Sequence, residues 1–262
     1  MKITELRDKD RIAAYLQQNL YLNIYQIGDL DDYYWPDTRW WALVENAKIE
    51  ALALLYTGLS VPTLLLLADD NREQCAELLN SLLPTLPPEI YVHYTEGLGE
   101  IPARRYDLRS YGLCLKLGLT APDLIDKCAT SNVVQLDVNN ENELQELYQI
   151  ASPGNWFNRR MLATELYYGV RHEEKLVSVA GVHVVSREYG VAALGNIATH
   201  PDWRGQGLAT ETTARVCQQL LSYGCRIGLN VVADNAAAVK CYMRLGFTEA
   251  GRYTEAQATA HT

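Results

Sequence analysis

Paired cysteines are missing from this chain. Its six cysteines, Cys75, Cys114, Cys128, Cys217, Cys225 and Cys241, form no CxxC pair. A zinc site and a metal requirement are therefore not expected. Several fall on apolar faces of predicted elements, as free thiols do in a reducing cytoplasm. Basic residues are also short: 23 Lys and Arg stand against 32 Asp and Glu, a net charge of −9. A nucleic-acid or anionic-membrane partner would want a basic face, whereas a cationic amine suits this sign. No apolar run is long enough to span a bilayer. The opening stretch, Met1 to Leu16, is charged and helical in pattern, unlike a signal peptide. Hydrophobic residues are not lacking: they make up 48% of 262 residues, enough for one large or two ordinary buried cores.

The most informative stretch runs from Ala192 to Ala209, AALGNIATHPDWRGQGLA. A small apolar run, Ala192 to Ala198, reads as a buried strand. His200, Pro201 and Asp202 break it. Arg204-Gly205-Gln206-Gly207 follows, and a helical stripe begins at once with Leu208, Thr212, Val216 and Leu220. Strand, glycine loop and helix in that order aim free N–H groups and the positive helix end at one spot. An anion bound there needs no side chain, and glycine lets the backbone approach it. The loop is not a P-loop, because Leu208 and Ala209 stand where Lys and Ser/Thr would. It is not a dinucleotide fingerprint, because Thr210 replaces the third glycine.

Downstream, Arg226 to Val232 reads as a strand. Asp234 or Asn235 caps a helix carrying Ala238, Cys241, Tyr242 and Leu245, and Gly246 ends it before Phe247. These two segments resemble the GNAT acetyltransferase superfamily. Its Q/R-x-x-G-x-G/A loop is matched by Arg204, Gly207 and Ala209. Its N-x-x-A-x-x-x-Y-x-x-x-G-F signature is matched by Asn235, Ala238, Tyr242, Gly246 and Phe247.

Along the rest of the chain, the pattern predicts helices at 4–19 and 22–29 and a hairpin at 39–45 and 49–56. A strand at 63–68, a helix at 70–83 and strands at 90–94 and 111–117 follow. Residues 121–131 read as a linker. A second unit opens with a strand at 133–136 and a helix at 141–151, then a meander at 167–171, 176–185 and 191–198. The two halves share an order of elements. The expected fold is α+β: tandem GNAT-like domains, 1–120 and 132–262, each a mixed, mostly antiparallel sheet flanked by helices. The first copy is degenerate, since Asp69-Asp70-Asn71-Arg72-Glu73 stands where the glycine loop would be.

The resemblance implies acetyl-CoA as cosubstrate. The amides of Gln206, Gly207, Leu208, Ala209 and Thr210, with Gly205 and Arg204, would hold its pyrophosphate. The strand edge at Asn196, Ile197, Ala198 and Thr199 would hold the pantetheine arm, and Asn235 would touch the cofactor or only cap its helix. The implied acceptor is an amine of a small molecule or peptide, attacking the thioester directly. Tyr242 would protonate the leaving thiolate or else pack in the core. No acid occurs from Tyr189 to Thr199, where many relatives carry a glutamate base. His183, Glu165 or a water chain are the candidates. Cys241 reads as a core thiol more readily than as a nucleophile, and the Pro153–Arg160 segment, aromatic and cationic, would cover the acceptor. Two other readings are an aminoacyl-tRNA-dependent transferase and an acyl-CoA sensor without turnover.

Overall fold

The computed structural model describes residues 1–155 and 157–261. Trp156, inside the aromatic and cationic segment singled out above, lies outside the described residues, as does Thr262. The first half of the chain runs β1 (Lys2–Leu6), α1 (Lys9–Leu16), α2 (Ile24–Gly28), β2 (Thr38–Glu45), β3 (Lys48–Tyr56), β4 (Thr63–Leu66), α3 (Arg72–Leu82), β5 (Glu89–Thr95) and β6 (Tyr106–Leu119). The second runs β7 (Val133–Leu136), α4 (Glu141–Ala151), β8 (Tyr167–His172), β9 (Lys175–Ser186), β10 (Val191–Thr199), α5 (Leu208–Ser222), β11 (Arg226–Val232), α6 (Ala236–Arg244) and β12 (Phe247–Ala260).

Two compact units result. One comprises Met1–Lys116, Val231–Asp234 and Glu249–Thr262; the other comprises Leu117–Asn230 and Asn235–Thr248. The first unit carries the ladder β1-β2-β3-β4-β5-β12, antiparallel except for the parallel pair β4 and β5. The second carries β7-β8-β9-β10-β11, antiparallel except for the parallel pair β10 and β11. A parallel pair needs a crossover, and α3 and α5 supply it. The same ladder is therefore written twice, as the shared order of elements predicts. The expected boundary at 132–262 is not followed throughout. Residues 249–262 group with the first unit, because β12 pairs with β5 from Tyr253↔Thr95 to Thr259↔Glu89. Ala256 and Ala258 are buried in that unit's core. The stretch read as a linker holds a 3₁₀ turn, Pro122–Lys127, anchored by the buried Ile125.

The helix expected at 4–19 is also corrected. Residues 2–6 form β1, paired with β2 from Lys2↔Val44 to Leu6↔Trp40. Tertiary pairing overrides the weak local preference of so short a segment. The helix starts at Lys9 because the Asp8 carboxylate accepts the Arg11 N–H at 3.0 Å, a side-chain N-cap. Elsewhere the apolar periodicity reads true. Cys75, Leu78, Leu79 and Leu82 of α3 are buried against Leu64, Leu66, Ile90 and Val92. In the hairpin turn both Asn46 and Ala47 have positive φ.

The first unit buries a lysine. Lys116 on β6 is 0% exposed, and its Nζ has no hydrogen-bond partner among the described residues. It lies 4.5 Å from the Tyr25 ring centroid and 5.1 Å from that of Tyr253. Burial pulls its pKa down to about 7, opposed by Glu255, Cys114 and Asp29. The folded value thus lies below the unfolded one, so stability is lost as pH falls from about 10 through 7. Asp29, pushed up to about 7 by burial, acts in the opposite sense, but its effect is complete once pH exceeds 7. Lys116→Met replaces the amine with an apolar chain of similar length. It is expected to stabilise the protein by about 1–4 kcal/mol at pH 6.5, seen as a higher Tm. That advantage should shrink steadily toward pH 9.5. A Tm advantage independent of pH would show that the amine stays charged in the fold.

Candidate active site

The site is built on β10. Its parallel pairing with β11 runs from Val191↔Arg226 to Leu194↔Leu229. On the other side, pairing with β9 shifts register between Gly195 and Ala198, so Asn196 and Ile197 are skipped. Asn196 has φ 55°, in the left-handed region, which asparagine tolerates better than most residues. The bulge turns the strand edge out of both ladders, a device common beside active sites.

Side chains from α4, β8, β9 and the 3₁₀ turn Arg159–Thr164 meet at this bulge. Tyr148 of α4 donates from its hydroxyl to the Asn196 carbonyl at 2.9 Å. The Asn196 amide nitrogen lies 2.7 Å from the Tyr167 hydroxyl and 3.2 Å from the Met161 sulfur. The Tyr167 hydroxyl in turn lies 3.2 Å from the Val182 carbonyl. On the other side of the amide, Asn196 Oδ1 is 3.2 Å from His183 Nε2. Two strand glycines make room for the rings. A Cβ at Gly195 would fall in the His183 imidazole, and one at Gly181 in the Tyr167 ring. His183 is thus joined to Asn196 and Tyr167. The sequence did not single out Tyr148 or Tyr167; isolated glycines inside strands, which mark close approach, were the available signal.

Glu165 stands elsewhere. It is exposed and takes a left-handed conformation, φ 59°, at the end of the 3₁₀ turn Arg159–Thr164. Its carbonyl accepts from Gln135 Nε2 at 2.7 Å. Of the paired arginines nearby, Arg159 faces Glu141 at 3.4 Å.

Beyond β10 the glycine loop opens onto α5. Gly205 and Gly207 have φ of 78° and 86°, the conformation glycine adopts without strain. A Cβ at either would meet nothing within 4 Å, so the loop's outer face is open. Gly207 caps α5 with no side-chain bond. Its carbonyl takes the amides of Thr210 at 2.9 Å and Glu211 at 3.1 Å. Thr210's N–H is therefore spent inside the protein. The amides of Gln206, Gly207, Leu208 and Ala209 have no acceptor among the described residues. Four successive N–H donors at the start of a 15-residue helix form a cradle for a phosphate or diphosphate. Arg204 braces the loop: its Nε donates to the Thr199 carbonyl at 3.1 Å and its Nη2 to that of Ala151 at 3.0 Å.

On α6, Asn235 accepts the Ala238 N–H at 3.2 Å and is the N-cap. Tyr242 is buried, 7% exposed, with its ring edge-on to Phe247 at 6.1 Å. Burial pushes its phenol up, with Cys241 and Cys217 adding to the effect, so it stays protonated. The Cys241 thiol is also raised by burial and sits 3.2 Å from the Thr210 hydroxyl. It is half-buried, and a thiol raised in this way is a poor nucleophile.

Residues 133–247 match the model of the Acetyltransferase (GNAT) family. The whole chain shares its fold with known structures. One is a GNAT acetyltransferase from Novosphingobium aromaticivorans, 19% identical, TM-score 0.61, over 93% of this chain and 99% of the other. Another is from Colwellia psychrerythraea, 12% identical, TM-score 0.56, over the full length of both. A third is a tandem GNAT protein of clavulanic acid biosynthesis, 15% identical, TM-score 0.54, over 100% and 99%. The chain thus has a tandem GNAT-like fold, and the family match falls on its C-terminal copy. No curated protein matches it. Among the described residues, no helix is long and apolar enough to cross a membrane.

Proposed function

We propose that the second unit transfers an acetyl group from acetyl-CoA to an amine of a small-molecule or peptide acceptor. The observation that carries this reading is the set of four unpaired amides, Gln206 to Ala209, just beyond a bulged strand edge. The donor set suits a diphosphate: N–H groups, a helix N-terminus and no acidic side chain within the loop. Gly205 and Gly207 keep the approach open, and Arg204 holds the loop through backbone carbonyls rather than through phosphate. The edge at Asn196, Ile197, Ala198 and Thr199 is the place for the pantetheine arm, and the Ile197 N–H would polarise the thioester carbonyl.

When bound, the thioester supplies an activated acyl group. The chain's own residues manage protons. His183 is the base we assign, because it alone of the two candidate residues is joined to the bulge. It takes a proton from the attacking amine, and Tyr242, buried and protonated, supplies one to the leaving sulfur. Asn235 acts as a helix cap. The first unit is assigned no cofactor. Where its β4 and β5 cease to pair, the Thr95 hydroxyl accepts the Ala68 N–H at 2.6 Å. At the start of α3, Asn71 Oδ1 accepts the Asp69 N–H at 3.1 Å. Side chains already serve the donors that a ligand would need.

Calorimetry on the intact protein is expected to show one acetyl-CoA bound per chain. No binding, or two sites, would overturn the assignment. Release of thiol from acetyl-CoA across an amine library would then identify the acceptor. Binding without thiol release by any amine would favour the sensor reading, which the absence of an acid on β10 keeps open.

A further inference from the structure

We infer that Asn196 fixes the tautomer of His183, holding the ring proton on Nε2 and the basic lone pair on Nδ1. The inference rests on the reading of His183 as base and adds the residue that positions it. The direction of the hydrogen bonds carries it. The Val182 carbonyl can only accept, and it is a closer and stronger acceptor than the Met161 sulfur 3.4 Å from the same hydroxyl, so the Tyr167 hydroxyl donates to it across 3.2 Å. Having spent its one proton, that hydroxyl must accept across the 2.7 Å contact with Asn196, which is therefore made by the amide NH₂. The second amide proton points to the Met161 sulfur at 3.2 Å, also an acceptor. The opposite amide orientation would set oxygen against sulfur and leave two acceptors, Oδ1 and the Val182 carbonyl, competing for the one hydroxyl proton. Oδ1 therefore faces His183, 3.2 Å from Nε2, and Nε2 is the donor. The ring cannot shift away, since it fills the space over Gly195. The amide cannot shift either, since it is only 5% exposed and its own carbonyl is held by Tyr148.

The proton balance follows. As the amine nitrogen bonds to the acyl carbon and the carbon–sulfur bond breaks, the electron pair goes to sulfur with the Tyr242 proton. The proton lost by nitrogen goes to His183 Nδ1. The resulting imidazolium keeps its Nε2–H on the Asn196 carbonyl dipole, which stabilises the charge. Solvent returns the proton to Tyr242 and takes that of His183 after product leaves.

Nitrogen-15 NMR of histidine-labelled protein reads the tautomer directly, without any acceptor. Wild type is expected in the Nε2–H form. Asn196→Gly tolerates the left-handed backbone and removes the amide. It should give a tautomer mixture and lower kcat about tenfold or more. Asn196→Asp keeps an acceptor at Nε2 and adds charge. It should retain the tautomer and move the acid limb of the pH–rate profile upward by about one pH unit or more. An Nδ1–H ring in wild type would overturn the inference, as would an unchanged tautomer in Asn196→Gly. If the glycine variant fails to fold, an unmoved acid limb in Asn196→Asp overturns it. The base reading fails separately: His183→Gln with wild-type turnover sinks it whatever the tautomer.

Discussion

Gly207→Asp is expected to abolish acetyl-CoA binding while leaving the fold intact. Aspartate is among the residues that best tolerate a left-handed conformation, and Gly207 has φ 86°. It is also a favoured N-cap, since its carboxylate can accept the orphan amides of the first turn and oppose the helix dipole favourably. Nothing within 4 Å obstructs a new Cβ. The variant should therefore remain folded, the strain at this positive φ being partly offset by the capping carboxylate. The same carboxylate would occupy the cradle made by Gln206 to Ala209 and place a negative charge where the diphosphate must sit. A loss of affinity of at least a hundredfold, about 2.7 kcal/mol, is expected by calorimetry. Gly207→Ala separates the two causes. It adds backbone strain of about 1–2 kcal/mol but no charge, and its loss of affinity should be much smaller. If Gly207→Asp binds within about threefold of wild type while remaining folded, the glycine loop is not the cofactor site.

The loop was legible because its information is local. Arg204, Gly205 and Gly207 sit between a strand and a helix that periodicity alone locates, and the amides they expose follow from helix geometry. Asn235 and Gly246 likewise mark the ends of α6 through their own capping chemistry. What escaped was set at long range. Lys2–Leu6 reads as the start of a helix until β2 is there to pair with it. β12 follows the second unit's signature directly, yet its partner is β5, more than 150 residues earlier in the chain; no local pattern names that partner. The bulge network was half visible. His183 drew attention as a lone strand histidine, and Asn196 as part of an edge. Tyr148 and Tyr167 look like ordinary core tyrosines until Gly181 and Gly195 are seen to hold rings. Lys116 was the quietest of all. A single lysine in an apolar strand, Leu113 to Leu119, gives no sign in sequence that it is fully buried beneath two tyrosine rings.

Tyr242→Phe should leave the cofactor bound and the chemistry slow. The substitution removes one hydroxyl and keeps the ring that meets Phe247 edge-on. That hydroxyl has no hydrogen bond to another described residue, so no internal donor or acceptor is orphaned by its loss. Stability should change by less than about 0.5 kcal/mol, close to the scatter of neutral substitutions. Cofactor affinity should also hold, because the diphosphate cradle lies on the backbone of α5 and its loop, not on α6. Turnover is different. General acid catalysis contributes about a hundredfold or more, and the phenol that burial keeps protonated is placed in the family's signature position. A fall in kcat of that size with an unchanged Kd for acetyl-CoA is expected. Because the Tyr242 pKa is raised, the wild-type profile should show no alkaline loss of activity from this group below about pH 10. The competing view, that Tyr242 only fills the core, predicts that Phe is tolerated in every respect. Turnover within about threefold of wild type would decide for that view and leave water as the proton donor. A large fall in turnover accompanied by a falling Tm would instead mean that the hydroxyl supports the packing of α6.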